Sequence, residues 1–125
     1  MKADSSVHVV RAGTLPFVGM SHQFIGEDHD TTVSIYLVEA APGKVVSPHT
    51  HEYDEIMYII EGTASATVDG TQVELRKGDL AVIKAGQVHG FSNRGEVLLR
   101  QLDVHLAPRF AQTQAEGAIT HHESS

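Results

Sequence analysis

The run Pro48-His49-Thr50-His51-Glu52-Tyr53-Asp54-Glu55-Ile56-Met57-Tyr58-Ile59-Ile60 decides how this chain is read. Side chains on a strand alternate between its two faces. His49 and His51 therefore point the same way, and Glu55, Met57 and Ile59 share their parity. One inward face would carry two imidazoles and a carboxylate at its rim, with apolar packing deeper down. Asp54 is expected to bend the chain between His51 and Glu55. Tyr53 and Asp54 are expected at the surface, as loop residues usually are. His89 opens a later strand, with Phe91 and Asn93 on its own face. An antiparallel neighbour would bring it opposite the His49–His51 pair. Taken alone, the histidine pair fits an exposed polar loop equally well. Taken with Glu55 and His89, it makes a donor set of three nitrogens and one oxygen. Such a set suits a divalent transition metal (Fe, Mn, Ni, Co, Cu or Zn) and leaves positions open on it. Mg and Ca prefer oxygen donors. Imidazoles bind only when neutral, so affinity should fall as pH drops through about 6.

Outward from this run the chain reads as strand after short strand, separated by Gly, Pro, Asp and Asn. Residues 33–38 are rich in β-branched side chains and stop at Ala41-Pro42-Gly43. Residues 64–68 and 71–75 flank Asp69-Gly70, a strong hairpin signal. Strands are expected at 80–83 and from His89 to Ser92, with a long last strand from Val97 to Leu106 closed by Pro108. In that last strand Gln101, Asp103 and His105 share one face and Arg100 the other; alternation does not say which faces inward. No long helix is expected. The fold class is all-β, and a small barrel is preferred because it removes the open edges such strands would leave.

The 125 residues suit one domain, and no cysteine is present. That excludes thiolate catalysis, iron–sulfur clusters and thiolate zinc sites. A formal net charge of −7 argues against a nucleic-acid or anionic membrane surface. The polar start, Met1 to Ser6, has no apolar core of a secretory signal, so a cytoplasmic location is expected. The chain divides into an N-terminal arm over 1–12, a barrel over 13–110 and a polar, mobile tail over 111–125. His8, His22 and His29 have no motif context and read as surface residues. His121 and His122 read as solvated tail residues.

Two glycine-framed patterns reveal a resemblance. The first, G-x5-H-x-H-x3-E-x6-G, is matched by Gly43, His49, His51, Glu55 and Gly62 without a spacing error. The second, G-x5-P-x-G-x2-H-x3-N, is matched by Gly78, Gly86, His89 and Asn93, with Lys84 in the proline position. The chain thus resembles the cupin superfamily over roughly residues 30 to 107, and in particular its single-domain members of the cupin 2 conserved-barrel type. The resemblance implies a double-stranded β-helix, a jelly-roll barrel. It implies that His49, His51, Glu55 and His89 ligate a metal inside that barrel. It also implies a homodimer formed through sheet faces and exchanged terminal strands, for which Val7 to Arg11 is the candidate. The glycines read as turn residues, and Asn93 as a residue that fixes a turn or a supporting hydrogen bond. Lys84 lacks the ring that fixes φ, so its turn is expected to be slightly looser.

The implied function is a small-molecule dioxygenase of the quercetinase-like type, with Glu55 able to leave the metal and act as a catalytic base. The alternatives are a non-redox metal-dependent lyase, isomerase or cyclase, and a non-catalytic ligand-binding cupin. Met57, Ile59 and Phe91 share parity with the ligands and read as core or pocket lining. Substrate is expected to be a small molecule, with no nucleic acid and no membrane involved.

Overall fold

Alternation sorts this chain into two packed sheets. The structure is a computed structural model that describes residues 6–114. Its strands are β1 (Phe17–Val18), β2 (Ser21–Phe24), β3 (Ser34–Ala40), β4 (Val45–Thr50), β5 (Glu55–Glu61) and β6 (Thr63–Val68). They continue as β7 (Thr71–Arg76), β8 (Leu80–Ile83), β9 (His89–Ser92), β10 (Leu99–His105) and β11 (Thr113–Gln114). Helical structure among the described residues is limited to two short 3-10 turns, Ala12–Thr14 and Gly26–His29. One sheet has six strands in the order β1-β2-β3-β10-β5-β8; the other has five, β11-β4-β9-β6-β7. All pairings are antiparallel. This is the expected double-stranded β-helix.

The inner faces supply the core. On β3, Ser34, Tyr36, Val38 and Ala40 are buried, while Ile35 and Leu37 between them are only half-buried. Met57, Ile59, Ile83 and Leu99 are fully buried and pack with Phe91, Ala64 and Ala66. Each large side chain withdrawn from water contributes about 1.5–3 kcal/mol. Met57, Ile59 and Phe91 are therefore core residues. The last strand resolves its ambiguity: Gln101, Asp103 and His105 face inward and are fully buried.

The turns follow their chemistry. Asp69 and Gly70 both take positive φ (49° and 85°), as the two-residue hairpin between β6 and β7 requires. Gly43, Gly62, Gly78 and Gly86 all have positive φ. Gly62 is doubly constrained, since a Cβ there would lie 2.7 Å from the Leu98 carbonyl oxygen. The turn at Lys84 is pinned rather than loosened. Its backbone N–H donates to Gln87 Oε1 (2.8 Å), a bond that proline could not make, and its Nζ reaches Asp54 Oδ2 (2.7 Å).

Several elements differ from expectation. The last strand begins at Leu99, because Val97 and Leu98 belong to an exposed loop whose Val97 carbonyl accepts from Asn93 Nδ2. β1 and β2 extend the six-stranded sheet although Ser21-His22-Gln23 carries little strand propensity. Thr113 and Gln114, read as tail, pair with Thr50 and His49. Most of that tail, with His121 and His122, lies outside the described residues. Val7, His8, Val9 and Arg11 are exposed and Val10 half-buried, and none of the five pairs with a strand among the described residues.

Candidate metal centre

Four strands from two sheets meet at one end of the barrel. β4 and β9 pair so that His49 lies opposite His89. The register slips between Val46 and His49, which re-aims the end of β4. His51 follows one residue after β4. Glu55 opens β5, and its register partner on β10 is His105. Asp54 makes the bend between His51 and Glu55 rigid: its two carboxylate oxygens accept from Lys84 Nζ and from Ala85 N–H (2.9 Å). All four proposed donors and His105 are buried, none more than 3% exposed.

The imidazoles are oriented by the backbone. His49 Nδ1 faces Ser47 O (2.8 Å), His51 Nδ1 faces Tyr53 O (2.8 Å) and His89 Nδ1 faces Gln87 O (2.9 Å). A carbonyl oxygen only accepts, so each neutral ring carries its hydrogen on Nδ1. The Nε2 lone pairs are left to point into the barrel, as a metal requires. One nitrogen from each of these three rings falls within 4.8 Å of the others. Glu55 Oε1 sits 3.0 Å from His51 Nε2 and 3.1 Å from His89 Nε2. His49 Nε2, His105 Nε2 and Glu55 Oε2 are buried with no hydrogen-bond partner among the described residues. A buried polar atom left unpaired is costly, and a cation among the four proposed donors would satisfy His49 Nε2 and Glu55 Oε2. The donor set therefore fits a divalent transition metal.

Electrostatics follow from burial and proximity. Burial pushes His49 down to about 4, aided by the neighbouring His89 and His51. Burial also presses on His89, but its hydrogen bond to the Glu55 carboxylate and that group's charge outweigh it and raise its pKa. For Glu55 burial acts upward, yet His105, His51 and His89 together hold it well below the usual carboxylate range. Burial lifts the Tyr53 phenol to about 12, so it stays protonated.

Two residues of this centre were not singled out by their sequence context. His105 Nε2 lies 3.5 Å from Glu55 Oε1, and by distance His51, Glu55 and His105 form a second group able to hold a metal. Tyr53 is not an exposed loop residue: it stacks on His51 and its hydroxyl meets His105 Nδ1 at 2.9 Å. Only the period-two face of β10 pointed to His105, and nothing local pointed to Tyr53. Asn93 lies outside the donor cluster. It donates to Ala40 O and Val97 O and accepts from Gly95 N–H, which fixes the β9–β10 loop.

The C-terminal segment frames the entrance. A cavity of about 700 Å³ at the mouth is lined by Thr50, His51, Tyr53, Pro108, Arg109 and Thr113 among others. Arg109 is paired with Glu27 (2.6 Å), and Phe110 stacks on Tyr36.

Known proteins share parts of this pattern. Over 64 residues the chain is 38% identical to tetracenomycin polyketide synthase protein TcmJ of Streptomyces glaucescens, a match covering 50% of this chain and 43% of the relative. Over 68 residues it is 34% identical to polyketide synthase CurC of Streptomyces cyaneus, covering 54% and 44%. The chain thus spans less than half the length of either relative. Among solved structures, an oxalate oxidase superposes with a TM-score of 0.74 at 16% identity, over 91% of this chain and 66% of the other. A likeness at that identity speaks for the fold alone. The family model of the cupin domain matches residues 36–105, more than half of the chain and the whole span from the inward face of β3 to His105, so the chain belongs to the cupin domain family.

Proposed function

We propose that this chain is a metal-dependent enzyme acting on small enolisable or phenolic molecules of the polyketide kind, and that it is a dioxygenase. The observation that supports it is that His49, His51 and His89 bring one nitrogen each within 4.8 Å of one another, with the Glu55 carboxylate 3.0 Å from His51 and 3.1 Å from His89, all buried beneath an open mouth. His49, His51, Glu55 and His89 would hold the ion. A divalent metal there supplies a Lewis acid for an enolate or phenolate oxygen and, when redox-active, a site for O₂. The substrate would enter between Thr50, Tyr53 and Arg109. Glu55 Oε2, which has no partner, is placed to accept the proton of an enol or phenol. The apolar floor of Met57, Ile59 and Phe91 excludes water below the reacting atoms. The names of TcmJ and CurC favour the substrate class, and they also favour a second reading, a non-redox cyclase or lyase.

Oxygen consumption separates the two. After anaerobic reconstitution with Fe(II), assays with diketones, flavonols and catechols should show O₂ uptake that depends on substrate. Absence of uptake across the panel ends the dioxygenase assignment. Turnover of an enolisable member under nitrogen then establishes the cyclase or lyase.

The enzyme is proposed to work as a cytoplasmic homodimer. The outer face of the six-stranded sheet carries two apolar rows in register: Leu37, Leu102, Tyr58 and Leu80, and Ile35, Val104, Ile56 and Val82. A broad apolar sheet face is suited to pairing with a copy of itself. Light scattering should give a dimer mass for the native chain and a monomer for Tyr58→Arg. A native chain that runs as a monomer refutes it.

A further inference from the structure

We infer that His105 is a positioning residue, not a metal ligand: the Tyr53 hydroxyl fixes its tautomer so that its Nε2–H faces Glu55 and holds the carboxylate toward His51 and His89. The inference rests on the metal reading of the centre and assigns a role to the one imidazole that reading leaves over. Distance alone would admit His105 as a donor in its own group with His51 and Glu55. Hydrogen bonding separates it from the other three rings. Theirs face backbone carbonyls, which fix hydrogen on Nδ1 and leave Nε2 bare. His105 Nδ1 faces a hydroxyl, which can donate or accept.

The surroundings of Tyr53 decide between those two states. Its oxygen already accepts the backbone N–H of Ala111 (3.2 Å). If His105 carried hydrogen on Nδ1, the hydroxyl would accept from that as well, and its own proton would have no acceptor among the described residues. That fault disappears when Tyr53 donates to Nδ1. Nε2 then carries the hydrogen and faces Glu55 Oε1 at 3.5 Å, longer than a hydrogen bond, so it acts on the carboxylate through its N–H dipole. A nitrogen that carries hydrogen has no lone pair for a metal. Residues that orient a ligand in this way typically change metal affinity about 10–100-fold when removed.

The test uses the full chain and Co(II) alone, titrated by visible absorption, with imidazoles counted by X-ray absorption and folding checked by circular dichroism. His105→Phe removes the hydrogen and keeps much of the ring's volume. His105→Gln restores an amide N–H near the Nε2 position. Three imidazoles are expected in the native protein and in both variants, with Co(II) binding about 10–100-fold weaker for His105→Phe and within a few-fold of native for His105→Gln. A native count of four that falls to three in His105→Phe makes His105 a ligand and overturns the inference. Native affinity in His105→Phe overturns it from the other side. If His105→Phe does not fold, His105→Gln decides: three imidazoles at near-native affinity support the role, and loss of binding refutes it. A native chain that takes up no Co(II) refutes the metal reading itself, an outcome distinct from failure of His105 alone.

Discussion

His49→Ala and His89→Ala should leave a folded barrel that has lost its metal. Each removes one Nε2 donor from the cluster, and neither ring belongs to the apolar core. Structural zinc in small domains is worth roughly 10–16 kcal/mol over four ligands. One ligand then corresponds to about 2.5–4 kcal/mol, or roughly a 10²–10³-fold loss of affinity. Elemental analysis of protein purified without nickel resin, with circular dichroism as the fold check, reads this directly. Undiminished metal in either variant would falsify the ligand assignment. The same titration carries a pH signature. His89 is raised by Glu55, so in the metal-free chain a proton competes for its Nε2 from somewhat above the ordinary 6.5 downward. His49 is lowered to about 4 and stays open until the pH is far more acidic. Affinity should be complete above the His89 window and fall as pH drops through it, with His49 adding no loss until near pH 4.

Gly90→Ala should be the most damaging single methyl that can be added beside the centre. Its φ is ordinary, so conformation is not at issue. The obstacle is space: a Cβ at Gly90 would lie 2.5 Å from Val46 O, 3.1 Å from Pro48 N and 3.1 Å from Ser47 C. All three are backbone atoms of β4, at the register slip that aims His49. β4 has to move away from β9. Overpacking a tight interior costs about 1–3 kcal/mol, and with no side chain able to yield, the upper end applies. For a domain of this size that lowers the melting temperature by roughly 10–20 °C. Because the displaced strand carries His49, Co(II) affinity should fall with it. Gly13→Ala, where a Cβ would meet nothing within 4 Å, is the control and should melt like the native chain. Equal melting temperatures for the two variants would show that β4 can give way without cost.

The candidate centre was legible because its residues are framed by others with local jobs. Gly43, Gly62, Gly78 and Gly86 sit at turns with positive φ, a demand that shows in a single sequence. The parity of His49, His51 and Glu55 is also local, and so is the Asp69–Gly70 hairpin. What stayed hidden depends on long-range packing. His105 reaches Glu55 only because β10 pairs with β5 in one particular register. Tyr53 meets His105 across 52 residues of chain, and no spacing rule encodes that. Gly90 looks like any strand glycine until β4 crosses it. β1 and β2 escaped notice because polar residues such as Ser21 and His22 join the sheet by lying beside β3, not by their own preference. Lys84 was misread for a related reason. The missing proline suggested slack, but the supporting bonds come from Gln87 and from Asp54 on a different loop.

The pairing of Thr113 and Gln114 with Thr50 and His49 has a practical side for anyone handling this protein. β11 lies on the edge of the strand that carries His49, so shortening the chain before Thr113 would bare that edge beside the entrance, and every binding measurement calls for a chain that keeps residues 113 and 114.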